Sequence, residues 1–177
     1  MTKFHFISIH LFKVNFSTLI NGFLNKNGKN FIKGKEKSNN LLKKVNQIKS
    51  KFAEGGGERA HFQHVTRNRK LLVSDRLKIL FDKGQYLEIG QCVGYGMSYG
   101  DIPRAGTLAA IGKINDKICV VGASDATVKS GASYPITITK QLRLYVLSMS
   151  LRIPFISIID SSGAFLPLQV EICIIQV

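Results

Sequence analysis

Apolar residues recur along the chain in two kinds of pattern, one typical of helices and one typical of short strands. A first helix is predicted over residues 41–52, and its apolar face consists of Leu41, Leu42, Val45, Ile48 and Phe52. Asn39 or Asn40 is placed to cap this helix. The helix is expected to end before the glycines at 55–57.

A second, shorter helix is predicted with Ser74 as its capping residue and Gly84 as its stop. The apolar residues of this helix are Leu77, Leu80 and Phe81. The same region carries a local basic cluster, made up of Arg67, Arg69, Lys70 and Arg76. A cluster of this kind is commonly a solvated face, and it can also neutralise phosphate groups.

Beyond residue 86 the pattern changes to short apolar stretches separated by turn residues. Strands are predicted over Thr107–Ile114 and over residues 117–122, and Asn115 with Asp116 suits a two-residue hairpin turn between them. A further helix is predicted over residues 139–151. Its buried side is expected to hold Leu142, Val146 and Met149.

An apolar run at residues 155–159 stops abruptly and gives way to small residues. The run predicts an interior strand buried on both faces, and residues 160–164, DSSGA, predict the loop after it. In α/β folds, ligands bind beyond the carboxyl ends of strands, and small residues let backbone N–H groups approach a ligand. Composition alone favours the simpler interpretation of a strand-to-helix turn.

The composition is ordinary for a globular protein, with 45% hydrophobic and 20% charged residues among 177, a length that fits one domain. The formal net charge of +14 is uneven, because residues 1–51 hold eleven lysines against one acid, Glu36. A lysine-rich arm can contact nucleic acid or anionic lipid. This arm has no arginine, the residue that supplies most bidentate base and phosphate contacts, and the pattern therefore argues against nucleic-acid binding.

The first 20 residues mix Phe, Ile and Leu with lysines and histidines and contain no acid. Lys13 interrupts the apolar run well before the roughly 20 residues that a membrane span needs. The pattern fits a mitochondrial transit segment, apart from its lack of arginine, and it fits a poorly ordered N-terminus equally well. Residues 21–39 are rich in Asn, Lys and Gly. Residues 1–39 are therefore predicted to be a flexible basic arm or a transit segment.

The residues indicate neither a metal site nor a nucleophile. His61 and His64 lack a Cys or carboxylate pattern that would complete a ligand set, so both are expected at the surface. Cys92, Cys119 and Cys173 are odd in number and far apart, which favours free thiols in a reducing compartment, with the first two buried. The glycines form neither a phosphate loop nor a dinucleotide fingerprint, which argues against a nucleotide-binding enzyme.

Three segments form a set of sequence motifs: residues 125–135 (DATVKSGASYP), 140–143 (KQLR) and 160–169 (DSSGAFLPLQ). Together they resemble the carboxyltransferase (beta) subunits of biotin-dependent acyl-CoA carboxylases, and among these the methylcrotonoyl-CoA carboxylase beta chains. That family carries Asp-Ala-Thr-Val-Lys-Gly-Gly-Ala-Tyr-Tyr-Pro, Lys-Gln-Leu-Arg and Asp-Ser-Gly-Gly-Ala-Asn-Leu-Pro-Arg-Gln at these places. The resemblance covers roughly residues 40–169, and a motif set of this length is a strong signal.

The resemblance implies an α/β chain with a partial crotonase-like (ClpP/crotonase) ββα fold over residues 40–169. It implies transfer of a carboxyl group from carboxybiotin to 3-methylcrotonoyl-CoA, a step of leucine catabolism. Gly163 and Ala164 would donate backbone N–H groups to the enolate oxygen. The residues that would neutralise coenzyme A phosphates are Arg69, Lys70 and Arg76.

The family also implies partners and a location. Biotin is carried on an alpha subunit, the acyl-CoA thioester is the substrate, the beta chains form homo-oligomers, and no metal is expected in this chain. The implied location is the mitochondrial matrix, with the cytoplasm as the alternative.

The sequence departs from the family pattern at several positions. Ser162 and Ser130 replace glycines, and a Ser162 that needed positive φ would be strained. Phe165 replaces Asn and Leu168 replaces Arg. Residues 170–177, VEICIIQV, do not match the family's continuation, which holds a second oxyanion donor and a biotin-receiving domain. They are interpreted as an aberrant apolar tail of a truncated chain.

These departures lead to two hypotheses of different classes. The first is a carboxyltransferase fragment that is catalytic only when the missing parts are supplied. The second is a non-catalytic product that still binds an acyl-CoA or a carboxylase subunit.

Overall fold

The computed structural model describes residues 25–175 of this α/β chain, so the predictions for residues 1–24 and 176–177 lie outside the described residues. Two compact units divide the chain, Met1–Ser38 and Asn39–Val177. In the first unit, a turn in which the Gly28 amide donates to the Asn25 carbonyl at 3.1 Å leads into a helix. The domain boundaries that the sequence suggests, after residues 39 and 169, stay predictions.

The first helix, α1 (Lys29–Ala53), is longer than the apolar pattern predicts. It ends before the glycines at 55–57, as expected. It begins well before Asn39 and Asn40, however, so neither residue caps it, and the segment from Lys29 onwards is helical rather than flexible. Lysine has good helix propensity, which explains how a polar segment extends the helix.

The apolar face predicted for α1 is largely solvent-exposed within the second unit. Leu41, Leu42 and Val45 are exposed, whereas Phe52 is fully buried and its ring centroid lies 6.2 Å from that of Tyr95. Residues 39–53 of α1 therefore pack on the rest of the second unit chiefly through Phe52.

Short helical segments come after α1. They are α2 (Glu58–Phe62), a π-helical turn (Gln63–Arg67) and α3 (Val73–Leu80). The N-cap residue of α3 is Leu72, and it makes no side-chain cap hydrogen bond, so the predicted cap at Ser74 is wrong. The apolar residue Val73 is buried at this end, and burial rather than capping determines where α3 begins.

The end of α3 also differs slightly from the sequence pattern. The helix stops at Leu80, and Phe81 is extended while its side chain is buried. Gly84, the predicted stop, lies in the next turn (Asp82–Gly84) with φ of +66°. The glycine therefore turns the chain into the sheet instead of ending the helix.

A four-stranded sheet forms the centre of the second unit. In chain order its strands are β1 (Tyr86–Ile89), β2 (Thr107–Ile114), β3 (Lys117–Ser124) and, after a short strand β4 (Ala132–Ser133), β5 (Phe155–Ile158). The spatial order is β1-β2-β3-β5, with β5 parallel to β3 and the other pairs antiparallel. β4 pairs instead with β6 (Gly163–Ala164) in a separate two-stranded parallel ladder.

The predicted hairpin between β2 and β3 is confirmed. Asn115 and Asp116 occupy the two turn positions with φ of +51° and +63°, a conformation that Asn and Asp tolerate better than most residues. Both turn amides donate to the carboxylate of Asp82, at 3.0 and 2.9 Å. This side chain therefore fixes the turn from outside the hairpin.

The prediction that β5 is an interior strand buried on both faces is wrong for the described residues. β5 is the edge strand of the sheet, its side chains are half-buried or exposed, and Ile159 beyond it is 74% exposed. An apolar run of this kind indicates a buried strand but does not say how many neighbours the strand has.

Helices cover both faces of the sheet. On one face α3 packs on a cluster of buried residues, Val73, Leu77, Phe81, Leu108, Ala110, Val121 and Ala123. On the other face, α4 (Pro135–Leu151) contributes to a second cluster, Ala109, Val120 and Leu144. Alternate residues of β2 and β3 thus face opposite helices, as the pleat of a strand requires.

The buried side of α4 is not the one that its apolar residues predict. The helix begins at Pro135 rather than near Thr139, and the exposed residues include Leu142, Val146 and Met149. The buried side consists of Pro135, Thr137, Lys140, Leu144 and Ser148. Its polar members are hydrogen-bonded, the Lys140 ammonium to three backbone carbonyls, which allows them to occupy the core-facing stripe.

The last described element is α5 (Gln169–Ile175), which buries Ile172. Part of the segment interpreted as an aberrant apolar tail is therefore a helix that packs through one residue. Among residues 25–175, none of the helices combines the length and apolar character needed to cross a membrane.

Candidate functional site

Two loops meet at one edge of the sheet. β3 and β5 are parallel neighbours, so their carboxyl ends lie side by side, with the loop at residues 125–131 after β3 and the loop at residues 159–162 after β5. The chain then pairs again in the β4–β6 ladder, where Ala132 is opposite Gly163 and Ser133 is opposite Ala164. The two motifs that carry the family resemblance are thus brought together.

Contacts between the two loops are close. The Ser161 hydroxyl donates to the carbonyl of Gly131 at 2.7 Å. Gly131 has φ of +75°, and a Cβ at this position would lie 2.5 Å from the Asp160 carbonyl oxygen. Glycine is needed here for both the conformation and the approach of the second loop.

The first loop is organised around a buried carboxylate. Asp125 accepts hydrogen bonds from the Thr127 amide at 3.0 Å and from the Thr127 hydroxyl at 2.6 Å. The same hydroxyl oxygen accepts a bond from the Gly56 amide at 3.1 Å. The glycine run that ends α1 therefore packs against this loop, a role that its sequence pattern did not indicate.

Backbone strain lies in the first loop rather than in the second. Ser130, which replaces a family glycine, has φ of +58°, whereas Ser162 is not among the residues with positive φ. The strain expected for a Ser162 with positive φ is therefore absent. A non-glycine residue in the left-handed region costs about 1–2 kcal/mol.

Replacing Ser130 with glycine is expected to raise the free energy of unfolding by about 0.5–1 kcal/mol, because glycine relieves the strain and only part of the gain is offset by unfolded-state entropy. Urea unfolding followed by circular dichroism measures the change. The control is Ser157→Gly in β5, an exposed position without positive φ. There the same substitution should destabilise by about 0.5–1 kcal/mol. A loss of stability in the Ser130 variant would contradict the assignment of strain.

Two of the basic residues predicted for phosphate binding contact the second loop directly. Lys70 Nζ lies 2.8 Å from Asp160 Oδ1, and Arg76 Nη2 lies 3.1 Å from Asp160 Oδ2. Arg69 is exposed with φ of +52° and forms no ion pair among residues 25–175. Two cations thus share one carboxylate at the start of the DSSGA loop, and their phosphate role stays a prediction.

The attachment of Asp160 is expected to be acid-sensitive. The hydrogen bond from Lys70, assisted by that from Arg76, lowers the pKa of Asp160 below its usual 3.8, against the raising effect of burial. A carboxyl whose pKa is lowered by folding stabilises the protein above its unfolded-state pKa, and this stabilisation is lost as the pH falls through the folded-state value. Urea midpoints of Asp160→Asn should therefore fall less than those of the unmodified chain between about pH 5 and pH 2. Parallel losses in the two proteins would contradict this coupling.

A cavity of about 290 Å³ opens beside these loops. Polar groups dominate its lining, which consists of Ala60, Gln63, His64, Asn68, Lys70, Ala126, Thr127, Ser130 and Asp160. Neither Gly163 nor Ala164 is among these residues. The cavity touches the second loop only through Asp160, the residue that Lys70 binds.

The two predicted oxyanion donors differ in what their amides already do. The Gly163 amide donates to the Ser161 hydroxyl at 3.1 Å. In the β4–β6 ladder, the Phe165 amide donates to the Ser133 carbonyl at 2.9 Å. Because backbone groups of successive strand residues point to opposite sides, the Ala164 amide points away from β4. Both residues are exposed. The Ala164 amide is outward-directed in the sense that strand geometry points it away from β4.

The described histidines and cysteines differ in part from the positions that the sequence predicts. His64 is buried, with Nε2 3.1 Å from the Leu71 carbonyl oxygen, so its predicted surface position is wrong; His61 is half-buried. Cys119 is buried, Cys92 is half-buried rather than buried, and both are free thiols, as is the exposed Cys173. Within residues 25–175, no three His, Cys, Asp or Glu side chains are grouped as a metal site requires.

Comparison with known proteins assigns most of the chain to one family. Residues 63–174 match the family described as carboxyl transferase domain. The chain is 35% identical to the mitochondrial methylcrotonoyl-CoA carboxylase beta chain of Dictyostelium discoideum, covering 92% of this chain and 29% of that protein. It is 40% identical to the biotin-dependent 3-methylcrotonyl-coenzyme A carboxylase beta1 subunit of Mycobacterium tuberculosis, covering 75% and 25%. The chain thus spans less than a third of the length of these relatives.

Solved structures show the same architecture. The beta subunit of geranyl-CoA carboxylase from P. aeruginosa has a TM-score of 0.75 and 27% identity, over 89% of this chain and 30% of that one. Transcarboxylase 12S has a TM-score of 0.68 and 21% identity, over 76% and 27%, and its likeness concerns the fold alone. The predicted partial crotonase-like ββα fold is confirmed.

Proposed function

The chain belongs to the carboxyl transferase domain family, and on that premise we propose that it recognises 3-methylcrotonoyl-CoA as the acceptor in a carboxyl transfer. The relatives named for methylcrotonoyl-CoA carboxylase support the choice of acyl group. The observation that carries the proposal is the outward-directed amide of Ala164, at the place where the two family motifs meet.

The chemistry of carboxylation requires such a donor. Removing the proton conjugated to a thioester carbonyl places negative charge on the carbonyl oxygen, and a fixed N–H group stabilises that charge in the transition state. The Ala164 amide is held by the ladder to β4 on one side and by the loop contacts of Ser161 on the other. It therefore needs little reorganisation to bind an oxyanion.

The basic residues supply the second half of the proposed recognition. Lys70 binds one carboxylate oxygen of Asp160 and also lines the cavity. Arg76 binds the other carboxylate oxygen of Asp160. Since two cations share one carboxylate, the group keeps a net positive charge. We assign this charge, together with exposed Arg69, to the phosphates of coenzyme A.

The proposed partner is a biotin-bearing alpha subunit, which would deliver the carboxyl group as carboxybiotin. Two relatives named as beta subunits of biotin-dependent acyl-coenzyme A carboxylases support this partner. A homo-oligomeric assembly is also proposed, as the family resemblance implies. The relatives from Dictyostelium discoideum and Arabidopsis thaliana carry the word mitochondrial in their names, which supports a mitochondrial location. The matrix as the compartment and leucine degradation as the pathway are proposed with it, as the family resemblance implies.

Titration calorimetry with two ligands tests the proposal. One ligand is 3-methylcrotonoyl-CoA, and the other is its thioether analogue, in which CH₂ replaces the carbonyl. The chain should bind the thioester more tightly. Ala164→Pro, which removes the N–H at an edge position, should abolish that preference, whereas Ala164→Ser should keep it.

A second variant separates the two halves of the site. Lys70→Gln should weaken binding of thioester and thioether equally, because a phosphate contact does not depend on the carbonyl. Equal affinity of the unmodified chain for the two ligands, or retention of the preference in Ala164→Pro, would contradict the proposed donor.

A non-catalytic binding protein is the second candidate, and one contact favours it. Of the two predicted oxyanion donors, the Gly163 amide is already bonded to the Ser161 hydroxyl, so Ala164 is the outward-directed donor that is left. One donor can bind a thioester carbonyl, but it stabilises the charge of an enolate less than two donors would. The candidates are distinguished by measuring the transfer of a labelled carboxyl group to 3-methylcrotonoyl-CoA from an alpha subunit whose biotin is carboxylated. Binding without transfer supports the second, and transfer supports the first.

A further inference from the structure

Three aromatic rings from separate parts of the chain stack beside the DSSGA loop. The ring centroids of Tyr99 and Tyr134 lie 5.4 Å apart, and those of Tyr134 and Phe165 lie 4.6 Å apart, both pairs in stacked geometry. Tyr134, the central ring, is only 5% exposed. Ile102 and Val128 are buried in the same cluster.

The stack is continuous with the backbone that holds Ala164. Ala164 and Ser133 are partners across the β4–β6 ladder. Phe165 directly follows Ala164, and Tyr134 directly follows Ser133. The Phe165 amide donates to the Ser133 carbonyl at 2.9 Å. Ring stacking and the backbone ladder thus hold the same two strands together, one residue from the outward-directed amide.

The central ring is itself fixed in place. The Tyr134 amide donates to Thr137 Oγ1 at 3.1 Å, and the Tyr134 carbonyl accepts from the Thr137 amide at 2.9 Å, so Tyr134 is anchored at the start of α4. Tyr99, at the other end of the stack, comes from the loop that precedes β2. Phe165 therefore packs on a ring whose backbone is hydrogen-bonded to the start of α4, although β6 itself has only two residues and a single neighbouring strand.

We propose that Phe165 is a positioning residue, whose stacking on Tyr134 and Tyr99 holds the Ala164 amide in the direction that a thioester carbonyl requires. This inference rests on the function proposed above. The β4–β6 ladder and the Ser161 contacts hold β6 in place through backbone atoms, but two residues in a ladder restrict the twist of the strand only weakly. The stacked rings restrict that motion without touching the ligand.

The test compares affinities for 3-methylcrotonoyl-CoA and for the thioether analogue in four variants of the full chain. Phe165→Leu and Tyr99→Leu disrupt the stack at opposite ends, and each should lower the thioester preference about three- to tenfold, the loss of roughly one hydrogen bond. Phe165→Tyr, which keeps an aromatic ring at this position, should show the same thioester preference as the unmodified chain. Tyr145→Leu is the matched control, since it removes an aromatic pair with Phe155, 4.5 Å away, elsewhere in the unit.

Loss of the preference for the thioester, with the affinity for the thioether unchanged, would report the direction of the Ala164 amide. A general loss of packing would weaken the binding of both ligands. Near-ultraviolet circular dichroism checks that each variant is folded. If Phe165→Leu does not fold, the thioester preference of Tyr99→Leu tests the positioning role instead. An unchanged preference in the folded stack variants, or an equal loss in Tyr145→Leu, overturns the positioning role while leaving the Ala164 donor intact. Absence of any thioester preference in the unmodified chain overturns the proposed function and, with it, the positioning role.

Discussion

Replacing Gly56 with alanine is expected to lower the free energy of unfolding by about 3 kcal/mol, the upper end of what overpacking costs in well-packed proteins. A Cβ on Gly56 would lie 1.8 Å from the carbonyl oxygen of Thr127 and 2.9 Å from Cβ of Ala60. The nearest atom belongs to the backbone, so no side-chain rotation relieves the overlap. The loop at residues 125–131 would have to move, and the bond from the Gly56 amide to Thr127 would be lost.

Chemical unfolding measured at several urea concentrations gives this value. The matched control is Gly96→Ala, because Gly96 has φ of +69° and open space around its Cβ position. Only the conformational cost remains there, about 1 kcal/mol. A Gly56 variant that is as stable as the Gly96 variant would contradict the close approach of the two segments.

Replacing Lys140 with methionine is expected to cost about 3 kcal/mol, because three buried acceptors lose a donor. Its ammonium donates to the carbonyls of Gly90 at 3.2 Å, Arg104 at 2.8 Å and Thr107 at 2.7 Å. Methionine preserves the shape of the side chain, so the loss reports hydrogen bonding rather than a cavity. The exposed Lys113 in β2 provides the control, and Lys113→Met should change stability by less than about 0.5 kcal/mol.

The same side chain predicts a pH dependence. Burial lowers the pKa of Lys140 to about 8 from 10.5, an effect that nearby Glu88 opposes and Arg104 reinforces. Between these two values the unfolded chain binds more protons than the folded chain, so the contribution of Lys140 to the free energy of unfolding rises with pH. The stability difference between the unmodified chain and Lys140→Met should therefore grow from about pH 8 to pH 10.5. A constant difference over that range would contradict the lowered pKa.

The sequence predicted the fold best where local chemistry decides the structure. The hairpin at Asn115 and Asp116 is determined by two residues that tolerate positive φ, and β2 has the predicted bounds. The apolar stripes were less reliable. On α4 the apolar residues Leu142 and Met149 are exposed, and Lys140 faces the core. Periodicity could not show this, because a lysine enters the core only when distant backbone carbonyls are placed to accept its hydrogen bonds.

The site was predictable in its motifs but not in its contacts. The DSSGA loop and the loop at residues 125–131 were identified together by resemblance. The ion pairs of Lys70 and Arg76 with Asp160 were missed, since they join positions that are 90 and 84 residues apart. The tight approach of Gly56 was missed for the same reason. A glycine run that immediately precedes a charged helix was the available signal, but nothing local shows which segment it contacts.

The most direct test of the proposed site is the proton chemical shift of the Ala164 amide. In ¹⁵N-labelled full-length chain, saturation with 3-methylcrotonoyl-CoA should move this resonance downfield, as expected for an N–H group that gains a carbonyl acceptor, while the thioether analogue should leave it nearly unchanged. If the thioester binds and the Ala164 resonance stays in place, or if both ligands move it equally, the amide does not bind the carbonyl and the assignment of this site is wrong.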